Sequence, residues 1–415
     1  MEMTDIGTGP KIGIGLSGGG SRAIAFHLGC LRTLHAQGIV QRARVLSTVS
    51  GGSVIGAMYA CHDGTFAEFE DQVRKVLRTG FAVPALRTAF TTSEGPKAAA
   101  ALVMLLATWA WLIPFRGAAA ALARIIRNTE VAPERWMPRR FASRTTILRR
   151  TMDTMIFRGK LLGDLPTDRP RLIAIATELR TGSAFYFGRQ HSGSWRFGVT
   201  DPALIPVAHA VAASAAYPLL LPALDEYVMF RKRDGSLRTE RVTLSDGGVY
   251  DNLGLSPLWP DRDRDISIGV EEIDTIVACR AGYGLRTNDP SIFVKARMTA
   301  AFGAVHGRAQ NATMKRLYDL KEAGKIKDFV LPYLDQDDER LAFPPTDLIR
   351  RARVAGYPTN FFAMSDEWIE RLSKRGEQLT LAVLREHAAH LLPACSDNET
   401  LRPIRLPPLP DATVA

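Results

Sequence analysis

The sequence predicts an α/β protein built on a mainly parallel sheet. Twice in the first 60 residues a short apolar strand runs into a glycine-rich turn and then a helical pattern, and buried-strand patterns return after residue 170. Strand–turn–helix repeats of this kind mark βαβ units, whose strands run parallel. The bulk composition agrees: 415 residues, 46% hydrophobic and 23% charged, exclude a disordered or collagen-like chain. The length suffices for a large core and two to three domains' worth of chain. Four cysteines without a CxxC spacing argue against a disulfide scaffold or a zinc module. Cys30 and Cys61 lie in apolar runs and read as buried thiols of a reducing compartment.

Taken in order, residues 11–16 form the first strand, broken by Ser17-Gly18-Gly19-Gly20. Ile24, Leu28 and Leu31 then recur at helical spacing, with Gly38 as a stop. Residues 45–49 form a β-branched strand that meets Ser50-Gly51-Gly52-Ser53, and Val54, Met58 and Cys61 continue as a helix. Residues 64–150 interrupt this rhythm. Within them 98–115 carry no charge, and an arginine-rich stretch from Arg116 to Arg150 follows, with Glu130 and Glu134 as its acids. The α/β texture resumes with a buried strand at 171–178 and an edge or hairpin strand at 185–187. An Ala-rich helix at 206–216 ends at Tyr217-Pro218, and Asp234-Gly235 marks a hairpin between 227–231 and 241–244. A strand at 275–279, an amphipathic helix at 291–320, a late strand at 327–332 and a helix at 366–392 complete the pattern. In the helix at 291–320 the apolar stripe is Val294, Met298, Ala301 and Val305. The division expected is a catalytic domain at 9–290 with a helical insertion at 64–150, a mostly helical extension at 291–396 packed on the core, and a loose Pro-rich tail at 397–415. There is no internal repeat, and the acidic start Met-Glu-Met-Thr-Asp lacks the bases and apolar run of a signal peptide.

Three segments carry chemistry. The loop Gly15-Leu-Ser-Gly-Gly-Gly-Ser-Arg22 follows a strand and opens a helix, so its backbone N–H groups and the positive helix end make an anion site. It lacks the Gly-Lys-Ser/Thr ending of a phosphate-binding Walker loop and meets GxGxxG spacing only loosely. An oxyanion hole formed by Gly18, Gly19 and Gly20 is the remaining functional reading, beside a merely tight turn. Thr48-Val49-Ser50-Gly51-Gly52 nearly matches the nucleophile elbow GxSxG, with Thr48 at the first glycine position. A plain helix N-cap by Ser50 or Ser53 is the alternative. A serine nucleophile needs a proton acceptor. His306, His387 and His390 all fall in helical patterns and read better as core or solvated histidines. Asp246, in Ser245-Asp246-Gly247-Gly248, ends a strand, where open α/β sheets place their sites. A dry pocket would raise its pKa and make it a better base, while a turn Asp bonded to its own backbone is the structural alternative.

In this order the glycine loop, the Ser50 elbow and Asp246-Gly247-Gly248 resemble the patatin-like phospholipase family, whose members use a Ser–Asp dyad without His. Ala213-Ser214-Ala215-Ala216-Tyr217-Pro218 is similar to the family's Ala-Ser-x-Ala-x-Pro segment, and Asp251-Asn252-Leu253-Gly254 to its usual continuation. The resemblance covers residues 11–260 outside 64–150; Thr48 and Ala23 stand where the family usually has Gly. It implies a three-layer αβα fold and hydrolysis of a lipid or lysophospholipid ester through an acyl-Ser50 intermediate, with Asp246 as base and no metal or cofactor. It also implies Gly18, Gly19 and Gly20 as oxyanion donors, and supporting roles for Arg22, Gly52, Gly247 and Gly248. Arg22 braces the loop or meets an anionic head group. An acyltransferase would use the same residues. A non-catalytic membrane-surface or nucleotide-binding module is the reading from a different class.

The uncharged run 98–115 is short for a membrane span. A single crossing would separate Ser50 from Asp246, so the run is expected to be an interfacial helix, a lid or a buried helix. Trp109, Trp111 and Phe115 beside the arginines favour an anionic lipid surface as partner through 98–150. The net charge of +10 then points to membrane rather than nucleic acid, in a cytoplasmic protein peripheral to the membrane.

Overall fold

The computed structural model describes residues 9–125, 138–218, 220–284 and 292–393. Its elements in chain order are β1 (Ile12–Leu16), α1 (Gly20–Ala36), α2 (Ile39–Arg42), β2 (Ala43–Val49), α3 (Gly51–Cys61), α4 (Phe66–Thr79), α5 (Ala82–Thr91), α6 (Glu94–Ile125) and α7 (Arg144–Met152). They continue with β3 (Arg171–Glu178), β4 (Ser183–Gly188), β5 (Ser192–Ser194), β6 (Gly198–Thr200), α8 (Val207–Ser214), β7 (Leu224–Arg231), β8 (Leu237–Asp246) and α9 (Gly248–Asp251). The last are β9 (Thr275–Cys279), α10 (Val294–Glu322), β10 (Asp328–Val330) and α11 (Asp366–His387).

The chain is mixed α/β, with helices on both faces of one sheet. The five strands β10-β9-β1-β2-β3 run parallel in that order. From β3 the sheet continues antiparallel through β4, β5, β6, β7 and β8, and β8 pairs back onto β3. The parallel strands are apolar on both faces because each face is covered. One face, with Ile14, Leu16 and Leu46, packs under Ile24, Phe26 and Leu28 of α1, Ile55 and Met58 of α3, and Leu372 and Leu379 of α11. The other, with Val45, Val49, Ile173 and Ile175, packs under Leu253, Leu255, Trp259 and the C-terminal part of α10 (Leu317 and Leu320). The segment after 291 therefore contributes both β10, at the sheet edge, and α11, on the core.

One apolar segment sits differently from its periodicity. The stripe expected to bury α10 instead faces outward: Met298 is 67% and Val305 70% exposed, and Ala301 is exposed too. Burial falls on Leu317 and Leu320. Periodicity identifies an apolar face but not what covers it. The uncharged run lies in α6, beside α5 and α7. Trp109 is 50% and Trp111 65% exposed, while Ala101 is buried. Most of the run is thus not core, and no helix among the described residues is long and apolar enough to cross a membrane. Arg127, Glu130, Glu134 and Arg135, as well as the tail at 397–415, lie outside the described residues. Cys30 is buried, whereas Cys61 is half-buried.

Candidate active site

The register on β3 brings the site together. β4 pairs with β3 continuously from Ile173 to Glu178 and so occupies one edge. β2 and β8 must share the other edge. β2 pairs as far as Val49 opposite Ile175, and β8 begins there with Asp246 opposite Ala176. Ser50 leaves the sheet at the point where Asp246 arrives. The C-terminal ends of two strands far apart in sequence thus meet along one edge of β3.

Ser50 is the turn between β2 and α3, with φ 52° and ψ −117°. For a non-glycine residue this conformation costs about 1–3 kcal/mol and persists only where its surroundings enforce it. The hydroxyl makes no cap bond to α3, so the N-cap alternative does not hold for Ser50, and Ser53 bonds other hydroxyls instead. Gly52 lets the elbow pass the end of β1: a Cβ there would lie 2.3 Å from the Leu16 carbonyl oxygen and 2.7 Å from that of Ser17.

Asp246 is 4% exposed. Its Oδ1 accepts the Gly248 N–H at 2.7 Å, and the N–H of Asp246 itself donates to the Ala216 carbonyl at 3.0 Å. Burial pushes its carboxyl up to about 6, against weaker opposing effects of the Gly248 N–H and the Ser50 hydroxyl. Oδ2 has no well-formed hydrogen bond among the described residues. Catalytic contacts commonly tighten only around substrate. Asp251, buried nearby, is the opposite case. It accepts the N–H groups of Leu253, Gly254 and Ser256 at 3.1, 3.2 and 2.6 Å and is a structural carboxylate. Asp246 thus makes the turn bond to its own backbone through Oδ1, while its buried Oδ2 is left over on the side of the strained Ser50.

The glycine loop faces the same point. Gly19 (φ 148°) caps α1 and Gly20 (φ 60°) is its first residue. A Cβ on Gly51 would lie 2.3 Å from the Gly20 carbonyl oxygen, so the N-terminal ends of α1 and α3 abut and their positive dipole ends converge beside Ser50. Gly18 donates its N–H to the Asn252 carbonyl at 3.0 Å. That leaves Gly19 and Gly20, of the three, as the donors not already engaged in this way. Gly247 donates to the Ser214 carbonyl at 3.1 Å. Arg22 is buried: Nε donates to the Ala281 carbonyl at 2.8 Å and Nη1 to that of Tyr357 at 3.0 Å. Its guanidinium also lies 4.4 Å from the Tyr283 ring centre. These contacts are those of a brace between α1 and the later chain.

His387 and His390 approach Glu386 and Asp328 at 3.6 and 3.8 Å, away from Ser50 and Asp246. His306 is different. Its ring stacks on Phe302 at 5.9 Å, Phe302 meets Tyr217 at 6.3 Å, and the imidazole interacts with the Gly248 backbone, in the turn that follows Asp246. Burial lowers its pKa. Sequence reasoning set His306 aside because helical periodicity does not reveal which turn a helix lies against. It also gave Ser214 and Asn252 no role, although both stand in the motifs that carried the resemblance. Among the described residues no cluster of three His, Cys, Asp or Glu side chains is placed to hold a metal ion.

A sequence model of the patatin-like phospholipases matches residues 15–259, more than half of the chain. The chain belongs to the patatin-like phospholipase family. No curated protein sequence matches it. Among solved structures, this patatin-like chain resembles human GIVD cytosolic phospholipase A2 at a TM-score of 0.50 and 12% identity, over 92% of this chain and 62% of that one. It also resembles VipD from Legionella pneumophila at a TM-score of 0.38 and 15% identity, over 91% and 67% respectively. It thus spans about two thirds of the length of those chains. The human enzyme's likeness is one of fold.

Proposed function

We propose that this patatin-like protein is a serine lipid acyl hydrolase of phospholipase A or lysophospholipase type. The observation that carries the reading is the convergence of strained Ser50 and under-bonded Asp246 on one edge of β3. Asp246 takes the Ser50 hydroxyl proton as Oγ attacks the ester carbonyl carbon. The N–H groups of Gly19 and Gly20, with the ends of α1 and α3, stabilise the resulting oxyanion. Collapse returns the proton to the departing alcohol and leaves acyl-Ser50. Water, deprotonated by Asp246, then attacks the acyl carbon and releases the fatty acid with Ser50 regenerated. An acyltransferase would use an alcohol or lysolipid in place of that water, and product analysis with such an acceptor separates the two.

An alkyl fluorophosphonate is expected to label wild-type protein at Ser50, with labelling and p-nitrophenyl ester hydrolysis both lost in Ser50→Ala. Because His306 touches the Gly248 backbone and neither dyad side chain, His306→Ala is expected to retain hydrolysis within about tenfold, equivalent to roughly 1.4 kcal/mol. An unlabelled wild type would support the non-catalytic module instead.

The exposed face of α6, with Val103, Leu106, Trp109 and Trp111, supports contact with a lipid surface, aided by the arginines that follow. Replacing Leu106, Trp109 and Trp111 together with Ser is expected to lower binding to anionic vesicles at least tenfold in a sedimentation assay, at about 1.4 kcal/mol per tenfold. Turnover of a short soluble ester would be unaffected. Unchanged vesicle binding would show that α6 is not the anchor.

A further inference from the structure

A file of buried hydroxyls runs from the nucleophile's backbone into the sheet. The Ser50 N–H donates to Ser214 Oγ at 3.0 Å. Ser214 Oγ and Ser53 Oγ lie 2.8 Å apart. Ser53 Oγ donates to Thr48 Oγ1 at 3.0 Å, and Thr48 Oγ1 donates to the Ile173 carbonyl at 3.2 Å. Thr48, Ser53 and Ser214 are fully buried. The ends fix the direction of the file: an amide N–H can only donate, and a peptide carbonyl can only accept. Each hydroxyl between them has one proton. The Ser214 hydroxyl therefore donates to Ser53, Ser53 to Thr48 and Thr48 to Ile173, and no proton is left over. Such a fully connected buried network holds one arrangement, because any break strands a polar group away from water.

We propose that Thr48, Ser53 and Ser214 form a positioning device that holds the peptide of Ser50, and with it the aim of its hydroxyl, relative to Asp246. The inference rests on the reading of Ser50 as nucleophile. The second half of the device is the backbone that follows Ser214. The Ser214 carbonyl accepts Gly247 N–H at 3.1 Å, and the Ala216 carbonyl accepts Asp246 N–H at 3.0 Å. One short segment at the end of α8 thus grips both members of the dyad, by a side chain on the Ser50 side and by backbone on the Asp246 side. This gives a physical role to the departure at Thr48. A glycine there would end the file, removing its hydrogen bond to the Ile173 carbonyl and the acceptor of the Ser53 hydroxyl. The methyl group of Thr48 fits because position 56 is glycine: a Cβ there would lie 2.5 Å from Thr48 Cγ2. Thr48 and Gly56 are complementary, and the elbow exchanges a glycine's slack for a hydrogen-bonded anchor.

The test uses the full chain and two readouts, hydrolysis of a p-nitrophenyl ester and the second-order rate of labelling by an alkyl fluorophosphonate. Thr48→Val keeps the side-chain shape and removes the hydroxyl; Ser214→Ala opens the other end. Each is expected to lower kcat and the labelling rate together by about 10- to 100-fold, the scale of a small misplacement of a reacting atom, with KM within about twofold because no substrate contact is removed. Thr48→Ser, which keeps the hydroxyl, restores labelling to within about threefold of wild type. The double variant Thr48→Val/Ser214→Ala is expected to be little worse than either single one, since one break already uncouples the file. Wild-type labelling rates in both single variants, even with lowered melting temperatures, would show a merely structural role and overturn the inference. Fully additive losses would also overturn it as a single device. Should Ser214→Ala fail to fold, the Thr48→Val against Thr48→Ser comparison decides; should Thr48→Val fail to fold, Ser214→Ala against Ser214→Thr decides in the same way. Failure of the underlying reading has a separate signature: a wild type not labelled at Ser50, which overturns both.

Discussion

Replacing Asp246 with Asn is expected to abolish most turnover and, at the same time, to raise the melting temperature at neutral pH. The carboxylate is buried, with one N–H on Oδ1 and no well-formed partner on Oδ2. Burial lifts its pKa from 3.8 to about 6. The sign follows from linkage. A carboxyl whose folded pKa lies above its unfolded value binds its proton more tightly in the native state. The native state therefore loses stability as pH rises from about 4 through 6, and above that range the whole penalty stands. For a shift of about two units it is of the order of 3 kcal/mol. Asn keeps the shape and an acceptor for Gly248 N–H without the charge. Thermal melts at pH 8 should thus show Asp246→Asn several degrees above wild type, with the gap closing near pH 4. Hydrolysis should fall by about 10²–10⁴-fold, the usual contribution of a general base. Wild-type kcat/KM should itself rise with pH through an apparent pKa near 6, because the base works as the carboxylate. A variant less stable than wild type at pH 8, or one with near-normal turnover, would rule out a strained catalytic carboxylate here.

The reacting groups of the proposed site were legible in the sequence because their chemistry demands local signatures. A strained strand-to-helix turn needs small residues, so Ser50 stands out between Val49 and Gly51-Gly52. A glycine loop at a helix start announces an anion site. What was not legible depends on register and packing. Nothing local says that β8 ends on the edge of β3 that β2 has just vacated; that follows only from the pairing of Val49 with Ile175 and Asp246 with Ala176. The same holds for Ser214, whose role appears only when α8 is seen against the elbow, and for Thr48, which reads as a flaw until Gly56 and the Ile173 carbonyl are in place. Apolar periodicity misled in α10 for a related reason: the stripe of Met298 and Val305 has the spacing of a core face, yet burial falls on Leu317 and Leu320. Gly18 shows the limit within the motif itself, since its N–H is drawn to Asn252 by a contact that no spacing reveals.

Gly52→Ala is expected to damage the protein nearly as much as removal of the nucleophile, although it touches no reacting atom. The added methyl would lie 2.3 and 2.7 Å from two carbonyl oxygens at the end of β1, Leu16 and Ser17. Both are backbone atoms where β1 runs into the glycine loop, so neither can turn aside as a side chain would. Either α3 lifts from the sheet or β1 and its loop retreat, and each movement separates Ser50 from the N–H groups of Gly19 and Gly20. Overpacking of this kind costs about 1–3 kcal/mol, more where backbone must move, and displacement of the reacting hydroxyl by about 1 Å costs on the order of 10²-fold in rate. Thermal melts and fluorophosphonate labelling should therefore fall together. Gly56→Ala on the same helix is the informative contrast. There the nearest neighbour is the Thr48 methyl at 2.5 Å, a side-chain atom, so Thr48→Ser in the same chain should relieve the clash while keeping the hydroxyl, and restore both stability and labelling. No single side-chain substitution should rescue Gly52→Ala, because what stands in its way is backbone. If Gly52→Ala folds and is labelled at the wild-type rate, the close passage of α3 over the end of β1 does not set the position of Ser50.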